Sequence, residues 1–148
     1  MSNSRGVPFK TTLLVRDKCL CLHIQRAARA LARRFDEALR PVGLTNGQFS
    51  LMMALNRPEP PTMGAVASLL AMDRTTLTAA LKPLERRGLV AVTAHPADAR
   101  RRLLRLTPAG SALLSRAVPI WESTHAALEA LLDGADPDQV RQSLRALS

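Results

Sequence analysis

Apolar residues recur at spacings of three and four along most of this chain, the pattern of helices that each bury one face. From Asp17 to about Leu39 the stripe is Leu20, Ile24, Ala27, Ala28, Leu31, Phe35, Ala38 and Leu39. Arg26, Arg29, Arg33 and Arg40 fall largely off it, and Pro41 and Gly43 end the helix. Residues 1–15 carry Ser, Asn, Gly and Pro without a clear period and read as a loose arm. Thr45 and Gln48 have the spacing of a capping box, which opens a second helix bearing Phe49, Leu51, Met52 and Leu55. The prolines Pro58, Pro60 and Pro61 stop it. Thr62 caps a third, short helix through about Leu70, and Asp73 caps a fourth that runs to Arg87 and ends at Gly88. Pro83 lies inside the fourth helix, where it removes one backbone donor and is expected to bend the rod.

The period then changes. Leu89–Thr93 and Leu103–Thr107 read as two strands, joined by the polar loop AHPADARRR. Thr107-Pro108 opens a fifth helix through Leu113, Leu114, Val118, Trp121, Leu128 and Leu132, with Pro119 as a possible site of bending and Gly134 as its stop. Asp136-Pro137 starts a sixth, with Val140, Leu144 and Leu147. The expected fold class is mainly α, with six helices, a two-stranded β wing and one domain over residues 1–148. No internal repeat or low-complexity linker divides it.

Composition supports helices. Apolar residues make up 47% of the 148-residue chain and aromatics only 3%, so the residues that favour strands are scarce. No run of about 18 apolar residues offers a membrane span. The first residues lack the long apolar core of a secretory signal, which makes the cytoplasm the expected address. The net charge is +9 and unevenly placed. Residues 1–61 carry a net +6, residues 62–110 a net +5 and residues 111–148 a net −2. A surface of that sign attracts polyanions and makes their binding salt-sensitive.

Only Ala71-Met72 separates the third and fourth helices, the spacing of a helix-turn-helix whose second member enters the major groove. The early exposed positions of that member are Arg74, Thr75, Thr76 and Thr78. Arginine can hold guanine through two hydrogen bonds, and threonine brings a hydroxyl and a methyl to a base edge. Lys82, further along, is placed for a phosphate, and the capping Thr62 is counted among the DNA-binding residues. Arg100, Arg101 and Arg102 suit the tip of a wing that follows phosphates or the minor groove, with Asp98 spaced to pair with Arg100 across the loop. Taken alone, three threonines are a solvated helix face and three arginines a solvated charge run. Their order along one chain is what favours DNA.

The segment DRTTLTAALKPLERRGLV, followed by HPADARRRLLRLTPAG and preceded by GLTNGQFSLMMAL, resembles the MarR family, the multiple-antibiotic-resistance-type winged helix-turn-helix regulators. The likeness covers most of the chain from residue 17 onward. It implies a homodimer built from residues 17–44 and 108–148, a DNA-binding region over residues 45–107, and two recognition helices on a pseudo-palindromic operator in double-stranded DNA. Base reading then falls to Arg74, Thr75, Thr76 and Thr78, wing contact to Arg100, and added phosphate contacts to Arg101 and Arg102. Ala99 stands where many relatives carry a charge, which thins the wing at that point. The family's usual response is release from DNA by a small aromatic or phenolic ligand, and His23, Arg26 and Trp121 are the candidates for meeting one.

Cys19 and Cys21 are the only cysteines. On one helix their side chains point roughly 200° apart, a poor geometry for a disulfide. Cys19 and His23 share a face but do not complete a metal site, so neither metal nor cofactor is expected. Cys21 lies near the reactive thiol of the hydroperoxide-sensing branch of the family, which gives a thiol-based repressor as the alternative. That branch pairs its thiol with tyrosines, and this chain has none. Activation then falls to Lys18, Arg26 or the helix start. An enzyme is not expected: GxSxG, HExxH and Gly-rich phosphate loops are missing, and His23, His95 and His125 lie on different elements. A winged-helix module that binds only proteins is the remaining alternative.

Overall fold

A computed structural model describes residues 6–148. It contains seven α-helices and one antiparallel β-hairpin. The helices are α1 (Phe9–Lys18), α2 (Leu20–Leu39), α3 (Asn46–Leu55), α4 (Met63–Leu69), α5 (Arg74–Arg86), α6 (Pro108–Glu129) and α7 (Pro137–Arg145). The strands β1 (Val90–His95) and β2 (Asp98–Leu106) lie between α5 and α6. The chain groups into two compact units, one ending at Arg34 and the other running from Phe35 to Ser148. No helix among the described residues is long and apolar enough to cross a membrane.

The first unit departs most from expectation. Residues 9–15, expected as part of a loose arm, belong to α1, which starts after Pro8, whose carbonyl accepts from Thr11 N–H at 2.9 Å. Residues 1–5 of that arm lie outside the described residues. The single helix expected from Asp17 is two helices, because Cys19 is extended, with φ −70° and ψ 109°. Cys19 therefore precedes α2 rather than sitting in a helix with Cys21, and the seventh helix comes from this division. Its sulfur accepts the Leu22 N–H at 3.5 Å, as an N-capping oxygen would.

The core of the second unit is assembled from every element between α2 and α6. Leu77, Leu81 and Leu84 come from α5, Leu51, Met52 and Leu55 from α3, Val66 from α4, Leu104 from β2, and Leu114 and Ala117 from α6. All are nearly or fully inaccessible, and each buried leucine contributes about 1.5–3 kcal/mol. No polar or charged residue among those described is buried with them. The expected caps form. Thr45 and Gln48 close a capping box, and Thr62, Asp73, Thr107 and Asp136 each accept a backbone N–H at a helix start. Helix α5 runs unbroken through Pro83, and α6 through Pro119.

Two joints hold the hairpin and α5 in place. Arg87, just past α5, donates through Nη1 to Gly43 O at 2.8 Å, and Gly43 sits in the left-handed region with φ +67° at the corner between α2 and α3. Thr107 caps α6 through Gly110 N–H while donating its own hydroxyl to Gly88 O at 2.6 Å. A Cβ on Gly110 would stand 2.0 Å from Leu89 O, so the start of α6 meets the backbone entering β1 only because residue 110 has no side chain.

Candidate nucleic-acid interface

The helix-turn-helix is α4 and α5. Between them Ala71 takes φ +52°, a left-handed conformation that costs a residue with a Cβ and that glycine usually fills. The turn is held by Met72 N–H on Ala67 O at 2.9 Å. Behind it, Leu77, Leu81 and Leu84 bury one side of α5, which leaves Arg74, Thr75, Thr76, Thr78 and Lys82 exposed.

The head of α5 is tightly bonded. Asp73 accepts Thr76 N–H at 2.7 Å on one carboxylate oxygen and Thr76 Oγ1 at 3.0 Å on the other. These bonds, first of all the backbone one, hold the Asp73 carboxyl below its ordinary value of 3.8. The folded form thus binds this proton less readily than the unfolded chain. The stabilisation is fully present above the ordinary value and is lost as pH falls through the lower, folded one. We expect Asp73→Asn to flatten the acid side of the stability profile below about pH 4. Thermal melts of both proteins between pH 2 and 6 check this, and parallel profiles would contradict it.

The wing is longer and tighter than its sequence implies. Instead of strands ending at Thr93 and starting at Leu103, β1 reaches His95 and β2 begins at Asp98, so the expected nine-residue loop is a turn at Pro96-Ala97. The register is regular from Val90↔Leu106 to Ala94↔Arg102 and then jumps to His95↔Asp98. Ala99, Arg100 and Arg101 lie in that irregularity without a partner in β1. The contact expected between the Asp98 and Arg100 side chains is instead a bond from Arg100 N–H to Asp98 Oδ1 at 3.0 Å. It shapes the turn and leaves the guanidinium uncommitted. β2 has a second neighbour, because Leu104 N–H donates to Pro61 O at 2.9 Å and Thr62 bridges Leu103. That short pairing ties the wing to the start of α4.

The result is a cleft of about 310 Å³ lined by Thr62, Met63, Gly64, Ala65, Arg74, Arg100, Arg101 and Arg102. A Cβ on Gly64 would stand 3.1 Å from Arg74 Nη2, so the Arg74 guanidinium lies against the first turn of α4. None of these four arginines makes an ion pair among the described residues. Four guanidinium groups without ion-pair partners among the described residues thus line one cleft, an arrangement whose charge favours an anion such as a phosphate. Arg74, expected among the base readers, is thus brought together with the wing. Thr75, Thr76 and Thr78 remain along α5, and Lys82 lies a turn further on.

The other candidates fall elsewhere. His23 and Arg26 line an open groove of about 570 Å³ on α2 together with Arg29 and Arg33. Trp121 packs against Phe49 and stacks on His125, with ring centroids 6.2 and 4.6 Å apart. Cys19 and Cys21 are both free thiols, and Cys21 is exposed with Gln25 Nε2 3.3 Å from its sulfur. No group of three His, Cys, Asp or Glu among the described residues is arranged to hold a metal ion.

Residues 42–101 match the model of the MarR family. The chain is 31% identical to the transcriptional regulator HosA of Escherichia coli O111:H- over 69% of its own length and 76% of that protein's. It is 41% identical to the M. tuberculosis regulator MosR, solved in complex with DNA, with a TM-score of 0.80 over 88% of this chain and 93% of that one. Bordetella bronchiseptica BpsR, whose DNA binding is regulated by 6-hydroxynicotinic acid, is 27% identical, with a TM-score of 0.71 over 88% and 91% of the two chains. With the helix-turn-helix, the arginine wing and these relatives in agreement, the chain belongs to the MarR family of winged-helix transcriptional regulators.

Proposed function

We propose that this protein is a dimeric, sequence-specific DNA-binding repressor of the cytoplasm, released from its operator by a small aromatic or phenolic acid. The observation that carries the DNA reading is the cleft in which Arg74, Arg100, Arg101 and Arg102 converge, without acidic partners among the described residues, beside the Thr62-capped α4. Arg100, Arg101 and Arg102, with Thr62 and Lys82, hold phosphates. Thr75, Thr76 and Thr78 on α5 meet base edges, and affinity and specificity are divided between the two groups. Titration of a labelled duplex at several salt concentrations tests this. The logarithm of affinity should fall linearly and steeply with the logarithm of salt, and no binding even in dilute buffer would overturn the reading.

The dimer reading rests on the terminal helices. Within a single chain α1 and α7 bury no residue, and Phe9, Leu14, Leu20, Ile24, Leu144 and Leu147 are exposed, Leu20 at 66% and Leu147 at 61%. Residues 17–44 and 108–148 form the dimerisation region, and a second copy of the chain covers their apolar faces together with that of α1, which precedes them. Leu144→Asp with Leu147→Asp is expected to yield monomers at micromolar concentration and to cut operator affinity by more than tenfold. Analytical ultracentrifugation with a binding titration checks both. A stable dimer in the double variant would contradict this interface.

An effector carboxylate is matched by the groove on α2, where Arg26, Arg29 and Arg33 present donors to an anion beside His23, whose Nδ1 is bonded to Cys19 O at 2.7 Å. Trp121 is less well matched, being engaged with Phe49 and His125. A second reading, release by oxidation, is favoured by the exposure of Cys21 with the Gln25 amide at its sulfur. Under it, Cys21→Ser binds the operator as the native protein does but is no longer released by an organic hydroperoxide. Unaltered release of the variant would remove that reading.

A further inference from the structure

The hydrogen bonds already made inside α5 restrict which base edges its threonines can read. A threonine hydroxyl has one proton to donate and two lone pairs to accept with. Thr76 Oγ1 donates its proton to Asp73 Oδ2 at 3.0 Å, while Asp73 Oδ1 takes Thr76 N–H. Thr78 Oγ1 donates to Arg74 O, one turn back, at 2.8 Å. No such bond involves the Thr75 hydroxyl among the described residues. Redirecting the Thr76 proton to DNA would break a charge-assisted bond that closes the cap of α5, and redirecting the Thr78 proton would break a bond to its own helix. Arg74, the strongest donor near the head of α5, is turned toward Gly64 and the arginine cleft.

Building on the DNA-binding function above, we propose that Thr76 and Thr78 read the major groove only as hydrogen-bond acceptors and as methyl groups, and that Arg74 holds a phosphate instead of a guanine. An acceptor oxygen is satisfied by the N4 amino group of cytosine or the N6 amino group of adenine. The Cγ2 methyl packs on the C5 methyl of thymine. Guanine offers only N7 and O6 to the major groove, both acceptors, and so presents a like-signed edge to these oxygens. The pairs beneath Thr76 and Thr78 are therefore oriented with adenine, cytosine or thymine, and not guanine, toward them. Thr75 is the one threonine of the three whose proton is available to a base acceptor.

The test uses the full-length protein and duplexes enriched from a random pool. Base pairs whose preference changes on Thr76→Ala or Thr78→Ala mark the contacts, and Thr→Ser and Thr→Val at the same positions separate methyl from oxygen if an alanine variant unfolds. At each marked pair, uracil removes the thymine methyl, and 2-aminopurine or 2-pyrimidinone removes the adenine or cytosine amino group. A 7-deazapurine removes the N7 acceptor. We expect one of the first set to weaken native binding about three- to tenfold, and the 7-deazapurine to change it less than twofold. A 7-deaza loss that disappears in the alanine variant would mean that the threonine donates, and would overturn the proposal. So would base preferences unchanged by every threonine variant. Arg74→Ala should weaken all duplexes alike and lower the salt slope, and a change confined to one guanine would overturn the assignment of Arg74. A pool that never enriches defeats the regulator reading itself, a result distinct from any of these.

Discussion

Gly110→Ala is expected to destabilise the protein by about 1–3 kcal/mol or more, although it adds a single methyl group to a helix. Elsewhere in a helix the change from glycine to alanine stabilises, because alanine loses less backbone entropy on folding. Here the new Cβ would stand 2.0 Å from Leu89 O and 3.0 Å from its carbonyl carbon, so backbone has to move on one side or the other. Leu89 O is also the acceptor for Thr107 N–H at 3.1 Å, and Thr107 Oγ1 holds Gly88 O. Displacing Leu89 thus disturbs the cap of α6 and the entry to β1 together. Thermal or denaturant unfolding at fixed protein concentration measures the loss. Ser111→Ala, an exposed neighbour, serves as control and should stay within about 0.5 kcal/mol of the native protein. A Gly110→Ala protein as stable as the native one would show that α6 and β1 do not meet as described.

The second large effect is on affinity. Replacing Arg100, Arg101 and Arg102 together with alanine should lower binding to every duplex roughly a hundredfold or more at physiological salt, and reduce the salt slope by about one for each phosphate lost across both wings. Base preference should persist if, as proposed, it resides on α5. Folding should be unaffected, since all three side chains are exposed and none is in an ion pair among the described residues. Unchanged salt dependence would place the wing away from the duplex. Loss of folding would give these arginines a structural role that their exposure argues against.

Helices with an apolar face and a polar cap were legible residue by residue. Thr45 with Gln48, Thr62, Asp73 and Thr107 each announce a helix start through chemistry that acts within four residues, and the leucines at 77, 81 and 84 define a buried face by spacing alone. The wing was harder. A ribbon exposed on both faces has no need to alternate apolar with polar residues, so Asp98–Arg102 read as loop although they belong to β2. The pairing of Thr62 with Leu103 was hidden for a related reason, since Pro61-Thr62 carries only the marks of a breaker and a cap. Nothing local flags the break at Cys19, which has no Gly or Pro beside it, or the left-handed Ala71, where glycine would have been the signal.

The candidate site divides along the same line. Residue types and order pointed to Arg74, the α5 threonines and the wing arginines, but the partners that set their roles are distant in sequence or hidden in hydrogen-bond direction. Arg74 meets Gly64 across the helix-turn-helix, and Arg87 reaches Gly43 across 44 positions. Thr76 and Thr78 spend their protons within α5, a fact that composition and spacing leave open.

Selection of bound duplexes from a randomised pool by the native protein, followed by the stoichiometry of the selected complex, tests the account at its centre. The prediction is one sequence with two-fold symmetry, its half-sites about one helical turn apart, occupied by one pair of chains. A pool that remains random at physiological salt, or an asymmetric site filled by a single chain, would contradict it.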